Sequence, residues 1–465
     1  MKIRVKTKKN PMKCPKCRPI IKARSLPRIA ALTLLSVFAM SLCGCTFFDA
    51  SLEGMLSPPK LTKAQTEIYN ALTLSIGEQS ELIYPKSGEY RSPFVLFDMD
   101  DEITEEAIVF YREKSPNAGA VSGLRMNLLD RKGGHWVSVS DCSLPGTDIE
   151  NVSFYNFGEG INVIVCSSFP GQSENALSVL NYSVGRLREL YRSNYGFMDI
   201  YDINDDGYDE LFLVSYDPAM ESNVASLVGQ SRGDRGEESR FGLLSSASLP
   251  EDVVFVQRLT RQRLGEGRFL LFLDHSKGEN SYGTQVLSCF SDALFLLDFG
   301  EAMARRSNSN IPMLYSTDID GDGVVEVPVT YPMLGYEGLT VPEQMFRVDW
   351  LVVNNDSIFS VASKYSTYVS IGYEYIFYIP VRWQGFVTVQ KMENNTVNFV
   401  LYDNNSFADI MLSVRVSETP PEEEGWEHYG DGDSKVYIKS PKGDFPMAFT
   451  ADELKSSLYI VPKKG

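Results

Sequence analysis

Five times in its 465 residues this chain runs from a polar loop straight into a short apolar strand. The copies are Asp98-Met-Asp100-Asp-Glu102 into 107–111, Asn156-Phe-Gly-Glu-Gly160 into 163–165, Asp202–Glu210 into 211–214, Asp274–Asn280 into 285–287, and Asp318–Glu326 into 327–329. Their starts lie 58, 46, 72 and 44 residues apart, a mean of about 55, the length of one four-stranded propeller blade. Further short strands between the loops, such as 123–129, 135–139 and 269–273, are separated by Gly, Asp, Ser and Pro. A blade cannot bury both of its faces alone, so repetition around an axis is the expected solution. Residues 80–365 are therefore expected to form a β-propeller of five to seven blades.

Two of the loops carry chemistry. Asp202-Ile-Asn204-Asp-Asp206-Gly207-Tyr208-Asp-Glu210 and Asp318-Ile-Asp320-Gly-Asp322-Gly323-Val324-Val-Glu326 place oxygens at positions 1, 3, 5 and 9, with Gly at 6. That set suits a hard cation such as calcium, which takes six to eight oxygens at ~2.3–2.6 Å, while glycine permits the tight turn. An EF-hand would need a bidentate Glu at position 12 and a following helix, and those positions hold Leu213 and Val329. The copy at 98 departs from the pattern, with Glu102 for the third Asp and Ile103 for Gly, and those at 156 and 274 lack most ligands.

These loops resemble the D-x-D-x-D-G-x-x-D/E loops of FG-GAP/VCBS-type repeats, as in integrin α-chain propellers. The resemblance implies calcium at Asp318, Asp320, Asp322 and Glu326 with the Val324 carbonyl. It implies a second ion at Asp202, Asn204, Asp206 and Glu210 with Tyr208, and a weaker site at Asp98, Asp100, Glu102 and Glu106. Stabilisation is the expected role of the ion.

Residues 1–28 carry eleven Lys or Arg and no acid, 29–43 is nearly continuous apolar, and Leu42-Cys43-Gly44-Cys45 follows. A basic segment, a short apolar segment and small residues make an export signal, too short at roughly 15 apolar residues for the ~20 of a spanning helix. The end resembles a bacterial lipobox, which implies cleavage before Cys45 and diacylglycerol on its thiol, tethering the chain to a membrane face outside the cytoplasm. Residues 45–60, with Pro58-Pro59, read as a stalk. Without residues 1–44 the chain keeps 33 basic residues against 61 acidic, about −28, which disfavours nucleic acid and favours cations and cationic partners. Cys142, Cys166 and Cys289 are an odd, widely spaced set, expected as small buried residues on strands.

Residues 61–79 should form a helix on the propeller, capped at Thr62, with Leu61, Ile68, Ala71, Leu72 and Ser75 on one face. From about 366 the loop pattern stops. Alternating strands at 373–379, 386–390, 397–402 and 411–416, and a capped helix over 450–458, suggest a separate α+β domain. Its order resembles the small sandwich of PsbP-like lipoprotein domains.

The three histidines, His135, His275 and His428, lie more than 130 residues apart, and no HExxH, GxSxG or P-loop occurs. Arg232-Gly-Asp234 sits in a polar insertion and reads as chance. The expectation is a non-catalytic module binding a protein, peptide or envelope glycan. The alternatives are a glycan-processing enzyme with paired carboxylates and a purely structural assembly lipoprotein.

Overall fold

Among the described residues, twenty-seven strands, arranged as six antiparallel sheets, make up most of the fold seen in a computed structural model. It describes residues 61–461 except 78–79, 101, 103, 114–122, 159, 184, 232–239, 266, 279–280, 300–313, 355–359, 371, 373, 404 and 442–446. The export signal, Cys45, the stalk and Arg232-Gly-Asp234 lie outside the described residues.

The first sheet contains β1 (Ser80–Leu82), β2 (Phe94–Phe97), β3 (Glu106–Glu113), β4 (Leu124–Lys132) and β5 (His135–Ser143), with β1 and β2 both on β3. The next three are meanders of four strands in chain order. The second runs β6 (Asp148–Asn156), β7 (Ile161–Ser168), β8 (Asn175–Ser183), β9 (Arg186–Tyr195). The third runs β10 (Phe197–Tyr201), β11 (Glu210–Asp217), β12 (Ser222–Ser231), β13 (Arg240–Ser248). The fourth runs β14 (Phe255–Gly265), β15 (Arg268–Gly278), β16 (Ser281–Phe290), β17 (Ala293–Leu297). The fifth comprises β18 (Glu326–Pro332), β19 (Phe346–Asn354), β20 (Ser360–Val369) and β21 (Tyr375–Tyr378), completed by the distant β27 (Leu458–Ile460). In the sixth, β22 (Val387–Lys391), β23 (Thr396–Asp403) and β24 (Ser406–Ser417) are followed by β26 (Lys435–Lys439) and then β25 (Glu427–Asp431).

The apolar runs that follow the loops explain the stacking. On β11, Leu211 and Leu213 pack with Ile164, Cys166, Leu177 and Val179 of the second sheet, while Phe212 and Val214 pack with Phe269, Leu271 and Leu273 of the fourth. Strand β15 divides in the same way, sending Leu270 and Phe272 to Val327 and Val329 of the fifth sheet. A strand sandwiched between two sheets buries both faces and so reads as unbroken apolar sequence. Each such Leu or Phe, removed from water, contributes about 1.5–3 kcal/mol. The last strands of these sheets, β5, β9 and β13, have no such double cover and alternate between half-buried and exposed.

Helix α1 (Lys63–Ile76) forms where its spacing predicts and buries Ile68 and Leu72, whereas Ser75 is exposed. Gly77, at φ 88°, ends it by donating to the Thr73 carbonyl at 2.8 Å. Helix α2 (Ala451–Ser457) carries the expected cap: Thr450 Oγ1 accepts from Glu453 N at 3.2 Å, and Glu453 Oε2 accepts from Thr450 N at 2.9 Å.

Two expectations change. Residues 274–278 are not a loop but the end of β15, because Asp274 is buried there, accepting hydrogen bonds from Thr284 Oγ1 at 2.7 Å and Ser316 N at 2.8 Å. A carboxylate satisfied by neighbouring strands looks, in sequence, like a loop acid. The boundary expected at 365/366 falls inside β20, and residues 366–465 do not keep a core to themselves. Met333, Met345, Tyr368 and Phe377 of the fifth-sheet region share one cluster with Trp383 of the short 3-10 turn Val381–Trp383, with Phe399, Leu412 and Val436 of the sixth sheet, and with Leu454 of α2.

Candidate metal loops

Three loops are built to one plan. Residues Phe97 and Glu106 pair across β2 and β3, Tyr201 and Glu210 across β10 and β11, and Thr317 and Glu326 in an isolated bridge that opens β18. In each, the glutamate at position 9 is buried, 1%, 3% and 0% exposed respectively, and its Oε2 accepts the backbone N–H of position 2. Those bonds, from Met99, Ile203 and Ile319, measure 2.8, 2.9 and 3.0 Å. A buried carboxylate closing a loop on its own backbone satisfies one oxygen and leaves the other directed among the remaining acids. The loop at 156 lacks this device: Asn156 pairs directly with Ile161 in a tighter turn.

Position 1 organises the rest of each turn. Asp318 accepts from Gly321 N, Asp322 N and Gly323 N at 2.7, 3.1 and 2.8 Å, and Asp202 accepts from Asp206 N and Gly207 N at 3.0 and 2.9 Å. Gly207 and Gly323 sit at φ 92° and 85°, a region costly for any residue with a Cβ, which explains glycine at position 6. Position 4 is also left-handed, Asp205 at 58° and Gly321 at 78°.

What lies among the carboxylates differs in each loop. At 98, ligand oxygens of Asp98, Asp100 and Glu106 approach within 4.8 Å of one another, a spread that one calcium ion with ~2.3–2.6 Å bonds can span. Glu102 stands apart from that trio; its N–H donates to Asp100 Oδ1 at 3.2 Å. Burial, opposed by the Met99 bond and reinforced by Asp100, Asp130 and Asp98, pushes the Glu106 carboxyl up to about 7.

At 318 the trio Asp318, Asp320 and Glu326 is equally compact, but an ammonium is inserted into it. Lys364 Nζ, reaching in from β20, lies 2.8 Å from Asp320 Oδ2, 2.5 Å from Asp322 Oδ2 and 2.8 Å from Glu326 Oε1. The Tyr365 hydroxyl donates to Asp320 Oδ2 at 2.5 Å. The lysine and tyrosine bonds draw the Asp320 carboxyl down to about 2, while burial holds Glu326 above its usual range.

At 202 a neutral amide takes the central position. Asn204 Nδ2 lies 3.2 Å from Glu210 Oε1, 3.4 Å from Asp206 Oδ2 and 2.6 Å from Asp292 Oδ1, which belongs to the turn between β16 and β17. The amide's orientation is set by Asp206 N, which donates to Asn204 Oδ1 at 2.9 Å. Burial, with Asp206, Asp292 and Asp202 nearby, pushes Glu210 up to about 8. Arg261 of β14 braces the loop from outside, donating to the Asp202 and Ile203 carbonyls and to Asp205 Oδ1 at 3.1 Å while lying over Phe269.

Lys364, Asp292 and Asp130 come from strands or turns far along the chain, and no local pattern marks them. The backbone carbonyls of Val324 and Tyr208 remain at position 7 of their loops, beside Gly323 and Gly207. His275 is buried on β15, whereas His135 is exposed and His428 sits 3.1 Å from Asp431. Cys166 and Cys289 are buried and Cys142 half-buried, all free, and burial pushes their thiols up to about 11, 12 and 11.

No protein-family model and no curated protein matches the sequence. Among solved structures, a periplasmic gluconolactonase of Pseudomonas aeruginosa aligns at 10% identity over 70% of this chain and 86% of its own, with a TM-score of 0.26. An exotype rhamnogalacturonan lyase aligns at 11% identity over 68% and 60%, with a TM-score of 0.22. A Dyadobacter fermentans protein of unknown function aligns at 10% over 78% and 98%, with a TM-score of 0.20. At such scores the likeness carries no argument. No described helix is long and apolar enough to cross a membrane.

Proposed function

We propose that this chain is a calcium-stabilised, non-catalytic binding module of the β-propeller type, held by lipid on Cys45 to a membrane face outside the cytoplasm. The observation that carries the calcium reading is the threefold recurrence of one loop closure. In three sheets, a buried glutamate at position 9 accepts the N–H of position 2, and in the loops at 98 and 318 it brings an oxygen to the acids of positions 1 and 3. All the candidate ligands are hard oxygens, the donor set calcium prefers. Loop 98, whose trio no described lysine or arginine enters, is the most open to an ion. At 202 the Asn204 amide must turn, and at 318 calcium must displace Lys364. The propeller reading is supported by five successive sheet-on-sheet interfaces between six antiparallel sheets. Sheets of this kind present their connecting loops at the ends, where partner selection resides.

The test is thermal unfolding of the chain, with Cys45 replaced, in excess EDTA and in millimolar calcium. The expected result is a higher midpoint in calcium, with part of the rise lost in Asp98→Ala and part in Asp202→Ala. An unchanged midpoint sinks the calcium reading, and an unlipidated Cys45 in membrane-fraction mass spectra sinks the anchor.

A further inference from the structure

Where the second and third sheets face one another, the side chains change character along the strands. Through the middle of the interface the contacts are apolar, Ile164, Leu177 and Val179 against Leu211, Leu213 and Val228. Two residues onward the same alternation places Asn162 on β7 and Asn181 on β8, which pair directly, and Arg188 of β9 opposite Asn181. On the facing sheet it places Gln230 of β12 beside Phe241 of β13. These polar residues line a cleft of about 1160 Å³ that also receives Arg186 and Arg240. That volume exceeds the ~300–1,000 Å³ of ordinary small-molecule sites, leaving room for more than one ring.

Two features of the cleft call for a ligand. Asn162 is 2% exposed and spends its amide hydrogens on the carbonyls of Gly160, at 3.0 Å, and Tyr155, at 3.4 Å, while its Oδ1 has no hydrogen-bond partner among the described residues. A buried acceptor left unpaired carries a desolvation cost, which a bound donor would recover. Arg186, Arg188 and Arg240 pair with no described carboxylate, and Glu189, the one acid among the described lining residues, is bound to Arg192 Nε at 3.1 Å. Three guanidiniums gathered on a chain of net charge −17 select an anion, and their planar forks suit carboxylates.

We infer that this cleft binds an acidic saccharide, a chain of sugars bearing carboxylates. Such a ligand supplies carboxylates for the arginines and hydroxyl donors for the Asn162 oxygen on one rigid ring. The half-buried Phe241 gives a face for the apolar side of that ring. The inference rests on the reading of the chain as a binding module, and not on the calcium loops.

The test is isothermal titration of the full chain with tetragalacturonate, its methyl ester and a polyglutamate peptide, in calcium and in EDTA. Tetragalacturonate should bind, the neutral ester should bind about tenfold more weakly or worse, and Arg186→Gln/Arg188→Gln should lose about tenfold through the lost charge-assisted pairs. Asn162→Leu should weaken binding as well; if that variant does not fold, the exposed arginine pair decides alone. Equal binding of polyglutamate would make the site a general acidic-peptide groove and overturn the saccharide assignment. Absence of tetragalacturonate binding, or binding indifferent to the arginines, overturns it outright. A midpoint that rises with calcium beside a titration without heat would separate failure here from failure of the calcium loops.

Discussion

Replacing Lys364 by methionine keeps the stem of the side chain and removes the charge lodged in the loop at 318. Its ammonium contacts three carboxylates, of which Glu326 is fully buried and Asp320 and Asp322 are partly exposed. Exposed pairs contribute about 0–1 kcal/mol and breaking a buried one costs about 3–5, so this mixed cluster should lose about 2 kcal/mol when the lysine goes. Unfolding entropy of ~2.1 cal/mol/K per residue over roughly 400 residues makes that a fall of about 2–3 °C in EDTA. The same change vacates the centre of an oxygen cage. Calcium at a hundred times its Kd returns about 2.7 kcal/mol, so Lys364→Met should rise further than the parent chain when calcium is added. The assay is paired thermal melts of both proteins in EDTA and calcium, in which the other loops contribute equally and cancel. Equal midpoints in EDTA, or equal calcium shifts, would refute the idea that Lys364 fills a cation position.

Without calcium, stability should fall as pH rises from about 4.5 to 8. Glu106 and Glu210 titrate near 7 and 8 in the fold, above their unfolded range, so the folded chain holds the extra protons in that window. Urea melts at pH 5 and 8.5 read this, and a higher calcium-free midpoint at 8.5 contradicts it. At the acid end Asp320, drawn down to about 2, should make stability fall as pH drops from about 4 through 2, which melts across that range would follow. Gly207→Ala and Gly323→Ala should each cost about 1–2 kcal/mol, since both glycines hold left-handed backbone; a neutral result in urea titration would remove the turn argument. Trp383→Ala, emptying the centre of the cluster shared by the fifth and sixth sheets, should cost about 3–5 kcal/mol by the same titration. Cys166 and Cys289 should resist a thiol reagent until the chain unfolds.

The architecture was legible where local pattern and burial coincide. Runs such as Leu211–Val214 announced strands because both of their faces are covered, and the cap of α2 was readable in Thr450 and Glu453. Position 9 of each loop was legible too, since its glutamate must reach back seven residues to close the turn. Long-range chemistry was not. Nothing around Lys364 tells that β20 delivers it to Asp320, and nothing around Asp274 tells that Thr284 and Ser316 donate to it. Of the three acidic loops the one at 98 reads as the weakest match, with Glu102 for the third Asp and Ile103 for Gly, yet Asp98, Asp100 and Glu106 converge there with no described basic side chain between them. Sequence spacing ranks ligands by identity, whereas the fold ranks them by what else arrives at the same point.

Strand β27 joins the fifth sheet from about 80 residues beyond β21, after the whole sixth sheet has been threaded. The fifth sheet therefore cannot finish pairing until residues 458–460 have emerged from the ribosome. Tyr375, Ile376 and Phe377 keep an open edge until Leu458, Tyr459 and Ile460 arrive. Assembly is thereby given a late checkpoint: a fragment stopped short of Leu458 carries an exposed strand edge, a mark by which proteases can tell unfinished copies from finished ones.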